Sequence, residues 1–192
     1  MKKLLPIVIT MLSVVGIFAS TSCSNKTQNQ AKESDKKMIV CYFSATGTTA
    51  AQAKRIAEIT GAGTYEIVPE TAYTAADLDW TDSLSRSSVE MHNKAFRPAL
   101  KDSTVNLSEY DIVFIGYPNW WNTCPTIINT FVETAQLDGK TVVPFMTSGG
   151  SNITNSEKEL SEAYPGINWK KGLLMNEVSD NQIKDWLEDI SK

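Results

Sequence analysis

Three stretches of the chain are apolar without interruption, and their lengths suit strands: residues 38–43 (Met-Ile-Val-Cys-Tyr-Phe), 111–116 (Asp-Ile-Val-Phe-Ile-Gly) and 141–146 (Thr-Val-Val-Pro-Phe-Met). Continuous rather than alternating apolarity means burial on both faces, as in a parallel sheet covered by helices. Residues 64–68 and 172–175 are weaker strand candidates. Pro144 removes a ladder donor and predicts a local irregularity in its strand. Between these runs the apolar period changes to that of a helix. Ala50, Ala53, Ile56 and Ala57 share one face, as do Ile127, Ile128, Phe131, Val132 and Ala135, and later Ile183, Trp186, Leu187 and Ile190. Residues 73–107 are long for a single crossover and hold one predicted helix, near 84–95. Strand and helix therefore alternate along the chain, which predicts an α/β fold with a doubly wound parallel sheet and right-handed crossovers.

The N-terminal pattern is different. A basic start, Met1-Lys2-Lys3, precedes an apolar run over residues 4–19 that is broken by Pro6, Thr10, Ser13 and Gly16. That run falls short of the roughly 20 apolar residues of a spanning helix, and small residues follow it, so it reads as an export signal over residues 1–22. It ends at Cys23, and small residues running into a cysteine resemble a bacterial lipobox, in which Cys23 becomes the lipidated first residue; an uncleaved anchor and a plain secretory signal are the alternatives. Residues 23–37 are rich in Asn, Gln, Lys and Ser and carry no aromatic residue, the composition of a flexible tether. The folded domain is expected over 38–192. The chain is expected outside the cytoplasm, anchored to a membrane of the bacterial envelope through this lipid only.

Charge and cysteine usage narrow the chemistry. The formal net charge is -4 and becomes more negative once Lys2 and Lys3 are removed. An acidic domain with no basic stripe argues against nucleic acid as a partner. Three cysteines do not make a disulfide framework, and Cys41 reads as a small buried hydrophobe. With a single histidine, His92, no metal-ligand set is expected.

In an open parallel sheet, ligands bind beyond the carboxyl ends of the strands, where the winding reverses. Three segments lie there. The first is Ser44-Ala45-Thr46-Gly47-Thr48-Thr49, between a strand and a helix. Unpaired N–H groups at a helix start suit a phosphate, Gly47 allows close approach, and the hydroxyls add donors. With no Lys or Arg and no GxxxxGK[ST] pattern, the loop suits a terminal monophosphate better than a triphosphate with magnesium. The second is the loop from Gly116 to Pro125, with Tyr117, Pro118, Asn119, Trp120 and Trp121 at its centre. Two adjacent tryptophans in a tight loop cannot both face a core, so aromatic surface is left for a flat partner. The third is Thr147-Ser148-Gly149-Gly150, whose paired glycines let backbone amides approach a ligand.

The pattern Ser-x-Thr-Gly-x-Thr, met here at Ser44, Thr46, Gly47 and Thr49, resembles the phosphate loop of flavodoxins. Tyr117-Pro118-Asn119-Trp120-Trp121 is similar to the loop of a bacterial flavodoxin subfamily that has Gly and Ala where this chain has Asn122 and Cys124. The resemblance covers about 38–192. It implies a short-chain flavodoxin-like fold with five parallel strands in the order 2-1-3-4-5 and helices on both faces. It also implies noncovalent FMN, its phosphate wrapped by residues 44–49 and its ring bordered by the other two loops. Tyr73, Asp77 and Trp80 fall in a region that can cover the other face of the ring. Glu90, His92 and Cys124 have no triad spacing and are not read as catalytic. Arg97 reads as a structural partner of a carboxylate.

The flavin would carry the redox chemistry, and aromatic walls and nearby acidic groups would lower its potential. A carbonyl between Gly116 and Asn119 is the expected acceptor for its N5 hydrogen. Two functions follow: an electron carrier that docks a redox partner protein, or an oxidoreductase taking hydride from NAD(P)H to a quinone or similar small acceptor. A flavodoxin fold that has lost FMN is the third alternative.

Overall fold

The computed structural model describes residues 36–191. The expected export signal, the tether and Cys23 lie outside these residues, apart from Lys36 and Lys37. The elements are β1 (Met38–Tyr42), α1 (Thr48–Thr60), β2 (Gly63–Glu66), α2 (Arg86–His92), β3 (Ile112–Pro118), α3 (Thr126–Thr134), β4 (Thr141–Thr147), α4 (Thr154–Ala163), β5 (Asn168–Trp169), β6 (Leu173–Leu174) and α5 (Asp180–Ser191). All strand pairs are parallel, in the order β2-β1-β3-β4-β5, with β6 also pairing β4. This is the expected order, with the fifth strand in two pieces. Among the described residues no helix is long and apolar enough to cross a membrane.

The sheet separates two cores, as continuous apolarity in its central strands requires. One face packs Val40, Phe114, Val143 and Phe145 against Ala53 and Ile56 of α1 and Ile183, Trp186 and Ile190 of α5. The other packs Cys41, Val113, Ile115 and Tyr117 against Ile127, Ile128 and Phe131 of α3 and Leu160 of α4. Neighbouring residues of one strand thus feed opposite cores.

Pro144 does not distort β4; the irregularity is in its neighbour. Lys170 N–H donates to Val142 O (2.9 Å) and Met175 N–H to Met146 O (2.8 Å), so even-numbered residues of β4 face the outer strand. The donor that Pro144 lacks would have pointed there too, and the outer strand is broken opposite it. β5 pairs only Thr141 and Val142, and β6 only Phe145 and Met146. Gly172 lies in the break, where a Cβ would stand 2.5 Å from Pro144 O. Gly116 in β3 is required for a similar reason, since a Cβ there would fall 2.0 Å from the Phe145 ring.

The predicted helix near 84–95 is shorter, at Arg86–His92, and is capped by Ser85, whose hydroxyl accepts from Ser88 N–H. Asn93 takes extended backbone and ends it.

Candidate functional site

The three segments beyond the strands meet at Thr147, the last residue of β4. Its carbonyl accepts from Asn119 N–H at 2.7 Å, and its hydroxyl shares a 2.8 Å hydrogen bond with that of Thr49. One threonine thereby links the start of α1, the β3–α3 loop and the end of β4.

In the first segment, Gly47 caps α1 with φ +89°, a conformation that L side chains rarely adopt, and open space lies where its Cβ would be. Gly47 N–H donates to Ser44 Oγ at 3.1 Å, which closes the turn. Thr46, Gly47 and Thr48 are exposed, and the hydroxyls of Thr46 and Thr48 lie 3.3 Å apart. The first N–H groups of α1 have no intrahelical partner and point out of this turn. Thr49 is different: it is buried and its hydroxyl is committed to Thr147, so only its backbone faces the turn.

In the second segment, Trp120 and Trp121 take separate roles. The Trp120 ring is half-buried and meets Phe43 (5.6 Å) and Tyr73 (5.3 Å) edge to face. Trp121 sits at the tip of a tight turn closed by reciprocal 3.0 Å bonds between Trp120 and Thr123. Trp121 and Asn122 both have positive φ, 47° and 62°. Asparagine tolerates that region better than most residues, so Asn122 can hold this place in the turn. Cys124 is buried, as its small size allows. Tyr117 is a core residue; its side chain is fully buried and its hydroxyl shares a 3.0 Å bond with Ser156 Oγ. Tyr117 can therefore serve a ligand only through its backbone. The Gly116 carbonyl is committed as well, accepting from Phe43 N–H at 2.9 Å.

Between the first two segments is a cavity of about 360 Å³. Ala45 and Thr46 line one part, and Pro118, Asn119, Trp120 and Trp121 another; Leu78, Trp80 and Ser87 complete it from the β2–β3 crossing. Two of its lining residues carry buried polar atoms with no partner, Asn119 Oδ1 and Ser87 Oγ. Both atoms are enclosed by protein and are not open to the cavity surface. Gly149 and Gly150 are exposed and are not among the lining residues. The Ser148 hydroxyl is turned inward to accept from Gly150 and Ser151 N–H (3.1 and 2.9 Å).

The sequence reading missed Ser87 and Leu78. It also set Glu90 aside, and the structure gives that carboxylate a supporting place. Its side chain is 3% exposed, it pairs with Arg86 at 2.7 Å, and it accepts the Tyr73 hydroxyl proton's hydrogen bond. The Arg86 guanidinium lies 4.0 Å from the centre of the Tyr73 ring. Burial, and then the Glu90 hydrogen bond, raise the Tyr73 pKa well above its usual value. Trp120 thus rests on a Tyr73–Glu90–Arg86 cluster. Cys124 is pushed up to about 12, first by burial, so it is held as a neutral thiol and not as a nucleophile. Arg97 is paired with Glu133 (2.9 Å) and is structural.

A doubly wound parallel sheet with an uncharged turn at one switch point and an aromatic cavity beside it defines a nucleotide-type cofactor binder. The flavodoxin family model matches residues 37–190, and the chain belongs to that family. A candidate flavoprotein from Bacteroides eggerthii has a similar structure, with 52% identity, 82% of this chain and 99% of that one covered, and a TM-score of 0.80. One from Bacteroides uniformis gives 56% identity, 80% and 98% coverage and a TM-score of 0.77. The flavoprotein of Lactobacillus acidophilus in complex with FMN shares the fold at 24% identity, 82% and 99% coverage and a TM-score of 0.62. No curated protein matches.

Proposed function

We propose that the domain binds FMN in the 360 Å³ cavity and serves as a flavodoxin-type electron carrier. Membership of the flavodoxin family and the FMN complex of the Lactobacillus relative support the cofactor. The observation that carries the reading is the cavity lined by Trp80, Trp120 and Trp121 together with Ala45 and Thr46 of the uncharged turn. The faces of an isoalloxazine suit the indoles. The turn at Ser44 to Thr48, with its N–H groups and hydroxyls, would hold the phosphate at the other end.

When bound, FMN supplies the electron-transfer chemistry; the chain's residues bind it, orient it and exclude water. Trp80, 75% exposed, lines the cavity, and exposed Leu84 and the acidic Asp77, Asp79 and Asp82 lie close to it in the chain. An apolar centre with an acidic rim suits a basic redox protein as partner. We further propose that Cys23 is lipidated and tethers the domain to a membrane of the cell envelope, from the composition of residues 1–37.

The test of cofactor and role is direct. FMN fluorescence should be quenched on titration into the apo domain, with a one-to-one end point. The loaded protein, mixed with NADPH or NADH under argon, should keep its yellow colour. Absence of quenching removes the flavin assignment; rapid bleaching by either nucleotide replaces the carrier with a reductase.

A further inference from the structure

The outer border of the sheet ends on a contact made by a side chain. Even-numbered residues of β4 face that border, where Lys170 N–H and Met175 N–H meet the carbonyls of Val142 and Met146 at 2.9 and 2.8 Å. Ser148 is the next residue to face the same way. After Met175 the chain turns toward α5, with Glu177 at φ 56°, and the Asn176 side-chain amide takes the place of a strand. Ser148 N–H donates to Asn176 Oδ1 at 2.9 Å, and Asn176 Nδ2 donates back to the Ser148 carbonyl. A primary amide carries both a donor and an acceptor, so it can answer both backbone groups of one residue.

The Ser148 N–H belongs to the same peptide plane as the Thr147 carbonyl. That carbonyl accepts from Asn119 N–H at 2.7 Å, and Asn119 lines the 360 Å³ cavity with Trp120 and Trp121. One rigid plane is therefore gripped from both sides, by Asn119 at the cavity and by Asn176 at the border. A rotation that freed one end would misalign the other. From Ser148 the grip extends into the third segment, where its Oγ accepts from Gly150 and Ser151 N–H at 3.1 and 2.9 Å. Asn176 itself is exposed and is not among the cavity-lining residues.

We propose that Asn176 is a positioning residue of the flavin site: its amide fixes the Thr147–Ser148 peptide and so holds Asn119 and the β3–α3 loop in the form that receives the ring. The inference rests on the FMN reading above. It assigns Asn176 to the ring end of the site and not to the phosphate turn, because the link from Thr147 to Thr49 runs through their hydroxyls and not through this peptide.

The test titrates the full chain with FMN and with riboflavin, which lacks the phosphate. Parent, Asn176→Ala and Asn176→Leu are compared; the leucine keeps the bulk without the amide. Both variants should raise the Kd of FMN and of riboflavin by the same factor, about 5- to 10-fold for the lost hydrogen bonds. Both should also alter the visible circular dichroism of the bound flavin. In the apo chain, amide exchange at Ser148 and Asn119 should quicken while that at Val113 and Ile115 stays unchanged, and the urea midpoint should move little. Unchanged flavin affinity and dichroism in both variants would overturn the proposal, whatever the midpoint does. So would weakened FMN with riboflavin spared, which would place the effect at the phosphate turn. A parent chain that quenches neither flavin removes the FMN reading, and this proposal with it; a parent and variants that bind FMN equally remove only the role of Asn176.

Discussion

At the scale of single residues, the cavity is supported by groups that do not line it. Glu90 holds two partners from inside the protein, and the Tyr73 ring that it anchors carries the edge of Trp120. Glu90→Gln keeps the shape but removes the charge facing Arg86. It should cost about 1–3 kcal/mol in chemical denaturation and weaken FMN binding severalfold in fluorescence titration. A loss of stability with FMN affinity intact would mean that the cluster supports the fold alone. Cys124 gives a pH dependence. Its folded pKa, about 12, is above the thiol's ordinary 9.0, so the native state keeps a proton that the unfolded chain releases. Its contribution is complete below pH 9.0 and is lost as pH rises toward 12. Alkaline denaturation of Cys124→Ala should lose less stability across that window than the parent, read as the change in midpoint denaturant with pH.

Among the elements, the β3–α3 turn is where sequence and geometry are most closely tied. Trp121 and Asn122 both hold positive φ, which Asn accepts and a β-branched residue resists. Asn122→Gly should therefore be near neutral, while Asn122→Val should destabilise by about 1–2 kcal/mol, both measured by urea unfolding. Continuous apolar runs made β1, β3 and β4 legible, because burial on both faces leaves no room for alternation. The turn at Ser44 to Thr49 and the two indoles were legible as well, since their chemistry stands out from an ordinary loop. Ser87 was not: one serine in a polar stretch has no periodicity, and only the packing of α2 brings it to the cavity. Glu90 reads in sequence as a solvated charge, and its burial becomes visible only with Arg86 and Tyr73 around it. For Tyr117 and Thr49 the segment was legible and the direction of the side chain was not, because that depends on partners, Ser156 and Thr147, far away in the chain.

For the whole molecule, binding should register as stability. A cofactor that binds only the native state at a free concentration of 100 times its Kd adds about 2.7 kcal/mol. The melting temperature should accordingly rise as FMN is added to the apo protein, and Gly47→Ala should flatten that rise by straining the φ +89° turn. At the other end of the chain, Cys23→Ser should abolish incorporation of labelled fatty acid in the producing cell. Retained label would dismiss the anchor without touching the domain.

The broken outer strand has a consequence for how copies of the domain meet. An unbroken, flat border would present a row of free backbone donors and acceptors on which another polypeptide could zip. Here that border consists of two pieces of two residues each, with Lys170, Lys171 and Gly172 between them. Crowding such molecules side by side brings ammonium groups together before any ladder can propagate. The same proline that costs β4 a donor leaves this apolar sheet poorly suited to seeding fibrils.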